Sequence, residues 1–125
     1  MNAPLPAGVT VKHEKLRIAG RPVDRDGRIE VRYPYTGELV ATVPKATVED
    51  VRTALKVARE FRSPLTRYDR YRILMRAGEI IASRVPEIAR LITLESGLCL
   101  KDSTYEVGRA SDVLLFAANQ ALVDD

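Results

Sequence analysis

The hydrophobic period of this chain changes once, at Thr47. Before it, apolar residues alternate with charged ones. After it, they recur every three or four residues. Alternation sends successive side chains to opposite faces of a strand, whereas the longer spacing gathers them along one side of a helix. A single switch from one period to the other excludes a repeating strand–helix–strand succession. It predicts strands first and helices afterwards, an α+β pattern.

On the strand side, Leu16 and Ile18 alternate with charged neighbours. Asp26-Gly27 is a turn signal, and Ile29, Val31 and Tyr33 then alternate with Arg28, Glu30 and Arg32. A second turn falls at Pro34-Tyr35-Thr36-Gly37, and residues 39–43 resume the extended pattern. Residues 15–45 therefore read as short β strands, in a small antiparallel sheet or a pair of hairpins. A sheet of that size needs something to pack on. Residues 1–14, with two prolines and no period, read as a flexible arm that carries the only histidine, His13.

Residues 46–125 read as four helical segments. Thr47 with Asp50 makes a capping box, and Val48, Val51, Leu55, Ala58 and Phe61 share one face behind it. Ser63-Pro64 stops that helix. Thr66 and Asp69 repeat the start signal ahead of Ile73, Leu74, Ala77, Ile80, Ile81 and Val85. Pro86 breaks the run and opens a third helix with Ile88, Leu91, Ile92 and Leu94, because proline is tolerated only in a first turn. Gly97 suits a left-handed cap. The last helix spans about residues 102–121, with Val107, Ala110, Leu114, Ala117 and Ala121 in line. Gly108 inside it costs about 1 kcal/mol relative to alanine, which predicts a close helix contact there. The last helix has no stop signal before Asp125, so the chain reads as part of something larger.

The chain has the length of one domain. Its 20 basic and 17 acidic residues leave a mixed charge of +3, weak support for a nucleic-acid partner. One cysteine excludes an internal disulfide and fits a reducing compartment. No apolar run is long enough to span a membrane, and the start has no signal-peptide pattern. These features predict a soluble cytoplasmic protein.

No catalytic set follows from the residues alone. Cys99, between Leu98 and Leu100, reads as an apolar filler of the turn after Gly97, with no base but His13 to activate it. One histidine and one cysteine are too few for a zinc site. Glu95, Asp102 and Glu106 read as a solvated helix end. Arg59, Arg62, Arg67, Arg70, Arg72 and Arg76, with Tyr68 and Tyr71 among them, read as a solvated helix face. The competing reading is a stand-alone interaction module that binds an acidic partner through that stretch. No glycine-rich phosphate loop of either common type occurs.

The order of the segments goes further. LRIAGRPV, VRYPYTGELVATVPKATVEDVRTALKVAREF, DRYRIL, EIARLITLESGL and YEVGRASDVLLFAA together resemble the opening of an NAD(P)-dependent aldehyde dehydrogenase. Gly20 matches the family's early loop glycine. Residues Tyr33 to Glu38 stand at its Asn-Pro-x-Thr-Gly-Glu turn, and Thr47 to Val51 at its Thr-x-x-Asp-Val helix start. Arg70 matches the arginine of the next helix, and Glu106 the glutamate nine residues after the turn glycine, here Gly97. The resemblance covers about residues 15–122. It departs at Tyr33, where the family has asparagine. It departs again at Glu95-Ser96-Gly97-Leu98-Cys99, which stands for Glu-x-Gly-Lys-Pro. Cys99 thus occupies a proline position, not the nucleophile's.

The resemblance implies an N-terminal portion that acts as scaffold within a larger α/β enzyme. Its helices would pack on a cofactor-binding domain that this chain lacks. The implied chemistry is thiolate attack on an aldehyde, hydride transfer to NAD or NADP, and hydrolysis of the thioester. The nucleophile, base and oxyanion-binding asparagine belong to later motifs, so this chain alone would bind no cofactor and show no activity. The family also implies a homo-oligomer. In some members an alkali cation is bound, which by position would take the carbonyls of Val31 and Arg32 with Glu106. The segment SGLCLKDSTYEVGRASDVLLFAA resembles the branch that oxidises phosphonoacetaldehyde in phosphonate catabolism.

Overall fold

The structure is a computed structural model that describes residues 10–123. Among the described residues five strands come first: β1 (Lys12–His13), β2 (Leu16–Ile18), β3 (Arg21–Val23), β4 (Arg28–Arg32) and β5 (Leu39–Pro44). Four helices follow: α1 (Val48–Glu60), α2 (Arg67–Ser83), α3 (Val85–Ser96) and α4 (Leu100–Gln120). Strands before helices is the α+β order that the change of period predicts. The chain divides into two compact units, Met1–Arg62 and Ser63–Asp125.

In the first unit, β2 and β3 form a separate two-stranded antiparallel ribbon. Its turn is Ala19-Gly20, with φ of 54° and 75°. Two consecutive positive φ values suit the right-handed twist of a tight hairpin. The glycine adopts this conformation freely, and Ala19 carries the strain.

The other sheet runs β1-β5-β4, with β4 antiparallel to β5 and β1 parallel to it. The parallel strand departs from the sequence reading, which places Lys12 and His13 in a flexible arm. Lys12 pairs with Ala41 and His13 with Thr42. The Glu14 N–H donates to the Thr42 carbonyl at 3.0 Å, and the His13 ring and Thr42 hydroxyl share a hydrogen bond of 2.7 Å. The reason lies in β5. Its consecutive residues Val40, Ala41 and Thr42 are only 3%, 5% and 8% exposed, so it is central and needs a neighbour on both edges. A two-residue strand has no period to read. Residues 1–9 of the expected arm lie outside the described residues.

Helix α1 belongs to this first unit. It packs on β2. Its start is the expected capping box: the Asp50 N–H donates to the Thr47 hydroxyl at 3.1 Å, and the Thr47 N–H to the Asp50 carboxylate at 2.9 Å. Asp50 is buried, with Ala54 and Val57 partly buried on the same face. The apolar stripe read from the sequence lies elsewhere. Val48, Val51 and Leu55 are 69%, 50% and 66% exposed, and Phe61 is exposed with them. The helix therefore has two apolar faces, and the first unit covers only the one through Ala54 and Val57.

In the second unit, α4 packs along both α2 and α3. Ala89, Leu94, Val107 and Ala118 are its buried apolar residues. Thr66 and Asp69 form the second capping box, and Gly97 (φ 76°) ends α3 in the left-handed conformation. Pro86 sits in the first turn of α3, where its missing N–H costs no hydrogen bond. The close helix contact is at Gly78 of α2, not at Gly108. A Cβ on Gly78 would meet the Leu114 Cβ at 3.7 Å and the Ser111 carbonyl at 3.8 Å. A Cβ on Gly108 meets nothing within 4 Å. Gly108→Ala in this chain should therefore raise stability by about 1 kcal/mol. Urea unfolding checks this, and a loss of stability would restore the close-contact reading. Among the described residues no helix is long and apolar enough to cross a membrane.

Candidate functional site

The turn between α3 and α4 holds the chain's one thiol. Gly97 reverses the chain, and Cys99, at φ −65° and ψ 150°, takes the N-cap position of α4. Its side chain makes no capping hydrogen bond. The Ser103 N–H donates to the Cys99 carbonyl at 2.9 Å. Ser103 itself is fully buried, and its hydroxyl and that of Thr93 share a hydrogen bond of 2.9 Å. Cys99 is exposed, which corrects the expectation of a buried filler. The buried place at this turn falls to Ser103.

A thiol needs a base or a cation beside it to become a useful nucleophile. His13 is hydrogen-bonded to Thr42 within the first unit. Among the described residues no group of three or more histidine, cysteine, aspartate or glutamate side chains is placed to hold a metal. Glu95 and Asp102 are exposed, and Glu106 pairs with Arg109 at 3.2 Å. These are the solvated helix-end carboxylates the sequence suggests. Val31 and Arg32 lie in the first unit, at a register irregularity of β4 against β5. The Arg32 guanidinium is held by Glu30 and by the Gly37 carbonyl at 2.8 Å. Glu106 lies on α4 of the second unit.

The arginine-rich stretch serves local partners. Arg62 donates to the carbonyls of Arg59 and Phe61, Arg70 to that of Leu65, and Arg76 pairs with Glu79 at 2.8 Å. Tyr68 and Tyr71 stack on each other with centroids 6.1 Å apart. Cations engaged with their own helix ends make a solvated face, and the interaction-module reading is not favoured.

The strongest electrostatic arrangement was not legible in the sequence. Arg25, from the loop after β3, grips both carboxylate oxygens of Asp50, with Nε at 3.0 Å from Oδ2. That guanidinium first, and the Thr47 N–H and hydroxyl next, lower the Asp50 pKa to about 2. The capping box announces Asp50, but nothing local links it to a residue 25 positions earlier. The arrangement ties a loop to a helix start and leaves no carboxylate free for proton transfer.

The glycines of the described residues offer no dinucleotide cradle. Gly20 and Gly37 are in hairpin turns, Gly27 lies between β3 and β4, Gly97 ends a helix, and Gly78 and Gly108 lie within helices. None follows a strand and opens a helix, as a pyrophosphate site of the usual kind requires.

Residues 22–124 match the aldehyde dehydrogenase family. The chain belongs to that family. It is 38% identical over 114 residues to the malonate-semialdehyde dehydrogenase of Halalkalibacterium halodurans, covering 84% of this chain and 23% of that enzyme. It is 31% identical over 112 residues to the 3-sulfolactaldehyde dehydrogenase of Priestia aryabhattai, covering 89% of this chain and 24% of the relative. The fold matches the crystal structure of an NAD-dependent aldehyde dehydrogenase from Sinorhizobium meliloti, with a TM-score of 0.81, 27% identity, and 90% and 24% of the two chains covered. It also matches betaine aldehyde dehydrogenase from Staphylococcus aureus in complex with NAD+, with a TM-score of 0.82, 25% identity, and 89% and 24% covered. The chain thus spans about a quarter of the length of these aldehyde dehydrogenases.

The turn at Tyr33, where the sequence reading notes a departure from the family pattern, is closed by its backbone. The Tyr33 N–H donates to the Glu38 carbonyl at 2.9 Å, and the Gly37 N–H to the Tyr33 carbonyl at 2.8 Å. Both bonds use backbone atoms. Gly37, at φ 74°, supplies the left-handed residue, so these bonds do not depend on the side chain at position 33.

Proposed function

We propose that this chain is the scaffold portion of an NAD(P)-dependent aldehyde dehydrogenase whose catalytic thiol, base and dinucleotide site lie elsewhere in the complete polypeptide. One observation carries the reading. Val48, Val51 and Leu55 form an outward apolar face on α1, in a chain that matches the family over residues 22–124. A contiguous exposed apolar face is a contact surface in want of a partner. The remainder of the same polypeptide, including its cofactor-binding domain, is the partner proposed.

The substrate proposed is a short aldehyde with an anionic group at its far end, phosphonoacetaldehyde in particular. The support is chemical kinship: two relatives are named for a sulfonated and a carboxylated aldehyde. The variant segment after Ser96 adds its own resemblance to the phosphonate branch. The complete enzyme is further proposed to be a cytoplasmic homo-oligomer.

The test is steady-state kinetics on the complete polypeptide with NAD+ and NADP+. Phosphonoacetaldehyde, malonate semialdehyde and betaine aldehyde are the substrates to compare. The two anionic aldehydes should show kcat/KM at least about tenfold above the cationic one, a difference of about 1.4 kcal/mol in transition-state binding. A preference for betaine aldehyde would overturn the substrate class and leave the family intact.

A further inference from the structure

We draw no further inference here: the strongest candidate, the open apolar cleft between α2 and α4 lined by Leu74, Met75, Gly78, Ser111, Asp112 and Leu115, is an unpartnered face, and nothing in the structure shows what covers it.

Discussion

Leu55→Asp should do opposite things in two contexts. In the chain of residues 1–125, Leu55 is 66% exposed and helical, so the substitution should change stability by no more than about 0.5 kcal/mol. It should also reduce self-association, because it places a charge in the middle of an exposed apolar face. In the complete enzyme the same face is proposed to be covered. An unpaired carboxylate there would cost several kcal/mol, roughly the 3–5 kcal/mol of a broken buried pair. That approaches the whole stability of a typical domain. The complete variant should therefore lose most of its folded yield. Soluble expression and thermal unfolding of the two variants, side by side, read the contrast. Equal tolerance in both would mean that α1 faces water in the enzyme as well.

Asp50→Ala should be the most damaging single change within the first unit. It removes the carboxylate half of the capping box and leaves the Arg25 guanidinium without its partner. Thr47→Ala, which removes only the hydroxyl half, should cost about 1 kcal/mol. Asp50→Ala should exceed it clearly in the same urea titration. The carboxylate also sets an acid limit. Its folded pKa, about 2, lies below the ordinary 3.8, so the unfolded chain binds this proton more readily. Stability from the group is complete above about pH 4, falls as the pH drops through the interval, and is gone below about pH 2. The parent should lose stability across that window more steeply than Asp50→Ala. Identical acid slopes would show that Asp50 gains nothing from Arg25 and Thr47 on folding.

The parts legible in the sequence are those written locally. Thr47 with Asp50, Thr66 with Asp69, and Gly97 carry their own capping chemistry, and all three act as read. The turn at residues 33–38 is equally local. What could not be read depends on partners far along the chain. Lys12 and His13 are a strand only because β5 is central, a fact of pairing across 29 residues. Arg25 is a guanidinium like its neighbours until α1 brings Asp50 to it. Helical period finds an apolar face without saying what covers it. So the stripe of Val48, Val51 and Leu55 was found correctly as a face, and it lies outside the core of this unit. Gly108 and Gly78 show the same limit: both are helical glycines, and only the path of α2 beside α4 decides which one marks the close contact. For the candidate site, sequence order pointed to the family, while the local surroundings of Cys99 misjudged its exposure.

The central claim is that this chain carries scaffold and no chemistry. Calorimetric titration of purified 1–125 with NAD+ and with NADP+, followed by an aldehyde-dependent assay of nicotinamide reduction, tests it most directly. The described glycines form no pyrophosphate cradle of the usual kind, and the Cys99 side chain makes no capping hydrogen bond. The account predicts no binding heat at cofactor concentrations up to about the millimolar range in which enzymes commonly work, and no turnover. Micromolar binding of either cofactor, or turnover that Cys99→Ala abolishes, would contradict it.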